Sequence, residues 1–310
     1  MFPSIVEFKP YIVTGLALGG VYALSGVGIV VLYRATGVLN LAFGAIGAMG
    51  ALISWSLVNH TSFPDWASYL VCVLFGGVVT FAYGLVFGPP LARRDPLVKA
   101  VGTLGFALIL LGLMSYFWPP IGRTMLLPTS EQAYSYHLGF AGIDVTLTQI
   151  IGLAFGVVVT LLVSGFLRFT LLGTAMRALA DDREITSTLG VPVRRVEAVA
   201  WLGSGLIAGA AGLLLSDLVG LDAVNLTFLI ISSLAAALIA RLRSLVVTLF
   251  AGLAVGLCTA LLTPIIAWPS ETNYQFSLSS YRGGAPFVIA IVTLLFLARR
   301  RVVSVGRTDE

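Results

Sequence analysis

Residues 168–197 bring together Arg177, Asp181, Asp182, Arg183 and Glu184, followed by Leu189 and Gly190. This spacing suits docking, not bond chemistry. Thr174 is a candidate helix cap, and Gly190 followed by Pro192 is a stop signal. Between them Met176, Leu179 and Ala180 share an apolar face, and Asp181 to Glu184 form a charged tip. A short helix of this kind fits a groove on a partner. The same composition also describes a solvated connector. A second helix can begin after Pro192 and continue into the next apolar run.

No other group of side chains points to catalysis or to a metal. His60 and His137 lack ligand partners at metal spacing. Cys72 and Cys258 lie inside apolar runs, where free thiols are structural. The two lysines are Lys9 and Lys99, and neither follows a Gly-x-x-x-x-Gly run. The chain therefore carries no Walker A loop and supplies no nucleotide site. The net charge of +4 is dispersed over separate loops, so no nucleic-acid surface is expected. Catalytic residues, metal ligands and a resident cofactor are all expected to be absent.

The elements that must position the 168–197 loop are membrane spans. Of 310 residues 58% are hydrophobic and 10% charged, and the mean hydropathy is +1.00. A soluble domain carries about 25% charged residues. The start, Met1 to Pro10, carries Glu7 and Lys9 and lacks the basic segment of a cleavable signal. Spans of about 20 apolar residues are predicted at 11–32, 37–58, 68–88, 97–118, 146–167, 198–219, 226–240, 245–266 and 285–299. The runs are continuous and do not alternate, which argues against strands. The expectation is an all-α polytopic bundle in one domain, residues 1–310.

Charge fixes the orientation. With the N-terminus outside, fifteen basic residues fall inside: Arg34, Arg93, Arg94, Lys99, Arg168, Arg177, Arg183, Arg194, Arg195, Arg241, Arg243, Arg299, Arg300, Arg301 and Arg307. Lys9, Arg123 and Arg282 fall outside. The positive-inside rule then predicts N-out and C-in, with 168–197 as the large cytoplasmic loop and 119–145 as the main outer loop. Trp66, Trp118, Trp268, Tyr134, Tyr136, Tyr274 and Tyr281 suit an outer aromatic belt.

Polar groups inside the spans are the candidates for a translocation path: Tyr22, Asn40, Thr103, Asn225, Ser232 and Ser233, with Phe43 beside Asn40. Gly37 to Gly50 is rich enough in glycine to interrupt a helix. There Asn40 is either a polar contact in the path or a helix cap. Asn40-Leu-Ala-Phe43 recurs as Asn225-Leu-Thr-Phe228, and at the same offset Gly20 matches Gly205. Spans one to four and six to nine would then be inverted repeats joined by span five, with the path at their interface. Gly15/Gly19, Gly84/Gly88, Gly152/Gly156, Gly205/Gly209 and Gly252/Gly256 mark faces for close packing or for sliding.

Three separated motifs carry a family resemblance. Gly173-Thr-Ala-Met-Arg-Ala-Leu-Ala-Asp-Asp, Thr188-Leu-Gly-Val and Arg194-Arg-Val together resemble the cytoplasmic motif of the permease subunits of branched-chain amino-acid ABC transporters. Gly19-Gly-Val-Tyr-Ala-Leu with Tyr33-Arg-Ala-Thr-Gly-Val-Leu-Asn-Leu-Ala-Phe-Gly resembles the first two spans. Gly203-Ser-Gly-Leu-Ile-Ala-Gly-Ala-Ala-Gly resembles the span after the loop. The resemblance implies that Arg177, Asp181, Asp182, Arg183, Glu184, Leu189 and Gly190 form a coupling element. Its partners would be two ATPase subunits carrying ATP and Mg, a second and distinct permease, and an extracytoplasmic solute-binding protein. It places the chain in a bacterial plasma membrane. Phe43 stands where the family often has His, and Ile239-Ala-Arg-Leu-Arg-Ser replaces a Leu-Gly-Gly-x-Gly-Ser turn. Those departures leave urea, short amides or another small polar solute as alternatives to an amino acid. A secondary carrier with inverted repeats is the competing class, and the lack of Lys, Arg or Glu in mid-span argues against proton coupling.

Overall fold

A computed structural model describes residues 5–61, 63–92, 94–119, 123, 135–138, 143–267 and 288. The helices are α1 (Ile5–Thr36), α2 (Phe43–His60), α3 (Asp65–Leu91), α4 (Pro96–Phe117), α5 (Leu147–Phe169), α6 (Leu171–Asp181), α7 (Arg183–Thr188), α8 (Val193–Val219), α9 (Ala223–Phe228), α10 (Ile230–Ile239) and α11 (Leu245–Ala267). Among the described residues six helices are long and apolar enough to cross a membrane: α1, α3, α4, α5, α8 and α11. The chain is a multi-pass membrane protein built on a helical bundle. The bundle is all-α as expected, and strands β1 (Ser135–Leu138) and β2 (Ile143–Thr146) add one short antiparallel hairpin outside it. It falls between spans, where continuous apolar runs give way to polar sequence.

Two predicted spans change shape. The second starts at Phe43, not at residue 37, because α1 ends at Gly37 with φ +66 and the chain runs non-helically to Ala42. The seventh is two short helices, α9 and α10, divided at Leu229. The ninth, 285–299, lies outside the described residues save for Val288, as do Arg282, Arg299, Arg300, Arg301 and Arg307 and most of the 119–145 loop.

α1 is apolar all round and is the central helix, as such a helix must be to find partners on every side. It packs on α5, α8, α10 and α11, while α8 packs on α1, α2 and α3. The pairing has a regular form. α1 crosses α11 as α3 crosses α8, α1 meets α10 as α2 meets α8, and α2 meets α3 as α10 meets α11. Exchanging α1 with α8, α2 with α10 and α3 with α11 maps these pairings onto one another.

The two main crossings are set by small residues. A Cβ on Gly19 would lie 2.7 Å from the Leu253 Cα, and one on Gly252 would lie 2.6 Å from the Ala23 Cα. On the other crossing, a Cβ on Gly209 would lie 2.5 Å from the Cys72 carbonyl oxygen. Each helix therefore rests on its partner's backbone, the geometry that brings dispersion contacts into play where lipid offers no hydrophobic drive.

The ends of the bundle differ chemically. At one end the Arg34 guanidinium donates to the Arg243 carbonyl at 3.3 Å, and the Lys99 ammonium lies beside Gly37 at the end of α1. At the other, Trp118 Nε1 donates to Ser56 Oγ at 2.7 Å, and Arg123 lies over the Trp55 ring at 5.1 Å.

Candidate functional site

The loop after α5 is folded, not a tether. Thr170 caps α6, its Oγ1 accepting from the Gly173 N–H at 3.0 Å. Thr174, the sequence candidate, instead bonds back to the Thr170 carbonyl at 3.0 Å. Asp182 caps α7 through the Ile185 N–H at 3.0 Å. Gly190 ends that turn at φ +83, and α8 begins after Pro192. Met176 and Leu179 are buried against the bundle core, so the apolar face of α6 is turned inward. Ala180 does not share it and is exposed.

What faces outward is a mixed surface. Leu171 is 91% exposed, Leu189 77% and Ile185 60%. Asp181, Asp182 and Glu184 are exposed beside them. Arg177 donates to Thr174 Oγ1 at 3.3 Å, and its buried Nε has no partner among the described residues. Arg183 is half-buried and paired with Glu197 of α8.

The break between α1 and α2 gathers two of the predicted path residues. Asn40 is buried, and its Oδ1 accepts from the Ala42 N–H at 3.0 Å, a local turn ahead of α2 and not a cap of that helix, whose N-cap is Ala42. Thr103 of α4 is fully buried. Its Oγ1 accepts from the Leu41 N–H at 3.1 Å and faces the Leu39 and Ala100 carbonyls, each at 2.9 Å. The extended backbone thus finds on α4 the partners that a helix would have given it. Just beyond, Gly44 rests on the Thr227 carbonyl of α9. The two interrupted segments therefore meet.

The remaining path candidates divide. Tyr22 of α1 and Ser232 of α10 are both buried where the two helices pack, and the Ser232 Oγ has no hydrogen-bond partner among the described residues. Phe43 and Ser233 line a small void with Ser25, Gly47, Ala211 and Gly212, roomy enough for about one water molecule. The Ser233 Oγ is buried with no partner among the described residues. Asn225 is exposed on α9, and its N–H is bound to Asp222 Oδ1 at 2.7 Å. Sequence reading missed Lys99 and Glu197 as site residues. The available signal was the four-residue spacing of Lys99 and Thr103, which puts both on one face of α4.

The turn after α10 keeps a glycine-type backbone without glycine. Arg241 and Leu242 have φ 52 and φ 55. The Leu242 N–H bonds to the Ala237 carbonyl at 2.8 Å, and the Arg241 N–H bonds to the Leu238 carbonyl at 2.8 Å. These two bonds close a helix in the manner that normally selects glycine at the Arg241 position.

Comparison with known proteins agrees with this architecture. The family model described as the branched-chain amino acid transport system permease component matches residues 11–299. A probable branched-chain amino acid transport permease protein LivH of Methanocaldococcus jannaschii is 27% identical over 88% of this chain and 85% of its own length. The high-affinity branched-chain amino acid transport system permease protein LivH of Escherichia coli K12 is 24% identical over 90% of this chain and 93% of its own. LivM of the same organism is 26% identical over 63% of this chain and 49% of its own. With a match that spans nearly the whole bundle, the chain belongs to the branched-chain amino-acid transport permease family.

Proposed function

We propose that this chain is the membrane-spanning permease of an ATP-driven importer for small amino acids with branched aliphatic side chains. The observation that carries the reading is the family match over 11–299, joined to a folded α6–α7 loop that presents exposed leucines and carboxylates. In this reading nine spans run N-out to C-in in a bacterial plasma membrane, and 119–145 receives a solute-binding protein. The regular exchange of helix contacts supports an inverted repeat, with the path near the meeting of α2 and α9.

Two ATPase subunits, which hold ATP and Mg, dock on the surface formed by Leu171, Ile185, Leu189, Asp181, Asp182 and Glu184. Arg177, Arg183 and Gly190 shape that surface from behind. A second permease completes the assembly. LivH and LivM, both similar to this chain, are named as permeases of one kind of system in E. coli. ATP binding moves the loop, and the path through Asn40, Phe43, Thr103, Tyr22, Ser232 and Ser233 alternates between sides.

A permease for urea or short amides is the second reading, favoured by the arginines at 241 and 243 in place of glycine. The test is competition in uptake by the assembled complex. Leucine, isoleucine and valine should displace one another, whereas displacement by urea or acetamide alone supports the second reading.

A further inference from the structure

We propose that Lys99 and Glu197 transmit movement of the α6–α7 loop to the break between α1 and α2, a role that rests on the ATP-coupled reading above. Glu197, in the second turn of α8, has a side chain only 14% exposed and receives Arg183 from α7. Lys99, in the first turn of α4, is 9% exposed and interacts electrostatically with both Arg183 and Glu197. Its ammonium also lies against Gly37, the left-handed residue that ends α1. A Cβ there would come within 3.7 Å of Nζ. One turn further along α4, Thr103 holds the backbone of Leu39 and Leu41. Lys99 thus stands between the Arg183–Glu197 pair, whose charges it senses, and the first residue of the break, and the same face of α4 holds the middle of the break.

The cluster contains two cations and one carboxylate, so its arrangement depends on which cation the carboxylate keeps. If the loop withdraws Arg183, Glu197 retains Lys99 as its remaining counter-charge, and the start of α4 is drawn toward α8. Low exposure makes that exchange consequential, because a poorly solvated charge cannot simply turn to water. Thr103 then carries Leu39–Leu41 with it. α2 follows, and its Gly44 shifts on the Thr227 carbonyl of α9. The links are one ion pair, the charge interaction of Lys99 with it, and backbone contacts, and such a chain is established only by measured coupling.

The test uses the full assembly with its ATPases and binding protein in proteoliposomes. Lys99→Met, Glu197→Gln, the double variant and Lys99→Arg are compared for uptake, ATP hydrolysis and thermal stability. Each neutralising variant should lower uptake about tenfold while hydrolysis stays within about twofold. The double variant should be no worse than the poorer single one, and Lys99→Arg should retain uptake. Uptake within about twofold of the unmutated assembly, or multiplicative losses in the double variant, would overturn the relay. Joint loss of uptake, hydrolysis and stability, unrelieved by Lys99→Arg, would assign a purely structural role. ATP-independent uptake by the unmutated assembly overturns the importer reading and the relay with it.

Discussion

Thr103 on α4 accepts the Leu41 backbone N–H at 3.1 Å, across 62 positions of sequence. That bond fixes the point at which the second span stops being helical. It also explains how a non-helical stretch is tolerated in a buried place, since a buried backbone N–H must find a partner.

Replacing Thr103 with Val keeps the shape and removes the hydroxyl. The Leu41 N–H is then buried without its partner, which costs about 1–3 kcal/mol. The expected outcome is a lower melting temperature of the purified assembly, together with reduced uptake. Thr103→Ser, which keeps the oxygen, should restore both.

Arg241 occupies a left-handed conformation that costs an L-residue about 1–2 kcal/mol. Arg241→Gly should therefore raise stability, by about 0.5–1 kcal/mol after the entropy of glycine is counted. Thermal unfolding in detergent measures it. A fall in stability would mean that the arginine side chain contributes more than the strain it imposes.

The crossing of α1 and α11 tolerates no side chain at Gly252. Gly252→Val should destabilise by at least about 1–3 kcal/mol, the ordinary range for overpacking, and reduce folded yield. Gly203→Ala and Gly165→Ala are the controls, since a Cβ at either position meets nothing within 4 Å. Those two should be neutral or slightly stabilising, as helical alanines are. Equal yields for all three would refute the close-packed crossing.

The α6 cap is separable from the docking surface. Thr170→Ala removes the acceptor for the Gly173 N–H and should cost about 1 kcal/mol of local helix stability. Hydrogen exchange over 171–181 should quicken, while exchange in α1 stays slow. Uniform quickening across the bundle would show that the loop and the core open as one unit.

Much of the scaffold was legible because apolar length is a local property. Six predicted spans correspond to helices that end within a few residues of their expected limits. The helical loop was legible from Gly190 and Pro192, but its cap was misplaced, since Thr170 and Thr174 are equivalent as residue types and only the fold decides between them. Ala180 was assigned to the buried face by spacing alone, and its small side chain carries little weight in deciding where the helix turns. The Arg183–Glu197 pair and the Thr103–Leu41 bond were not legible, because each joins elements whose adjacency no local pattern reveals. The division of the seventh span at Leu229 also left no clear mark, since no glycine or proline stands there.

The most direct test of ATP-coupled transport is purification of the tagged chain, expressed with the products of its neighbouring genes. The account predicts that an ATPase pair and a second permease are retained, and that the complex takes up radiolabelled leucine only with ATP and its binding protein. It also predicts that Leu171→Asp with Leu189→Asp, at the two most exposed leucines of the loop, releases the ATPase without unfolding the bundle. A chain that carries leucine without any ATPase, or an ATPase retained unchanged by the double variant, would contradict the account.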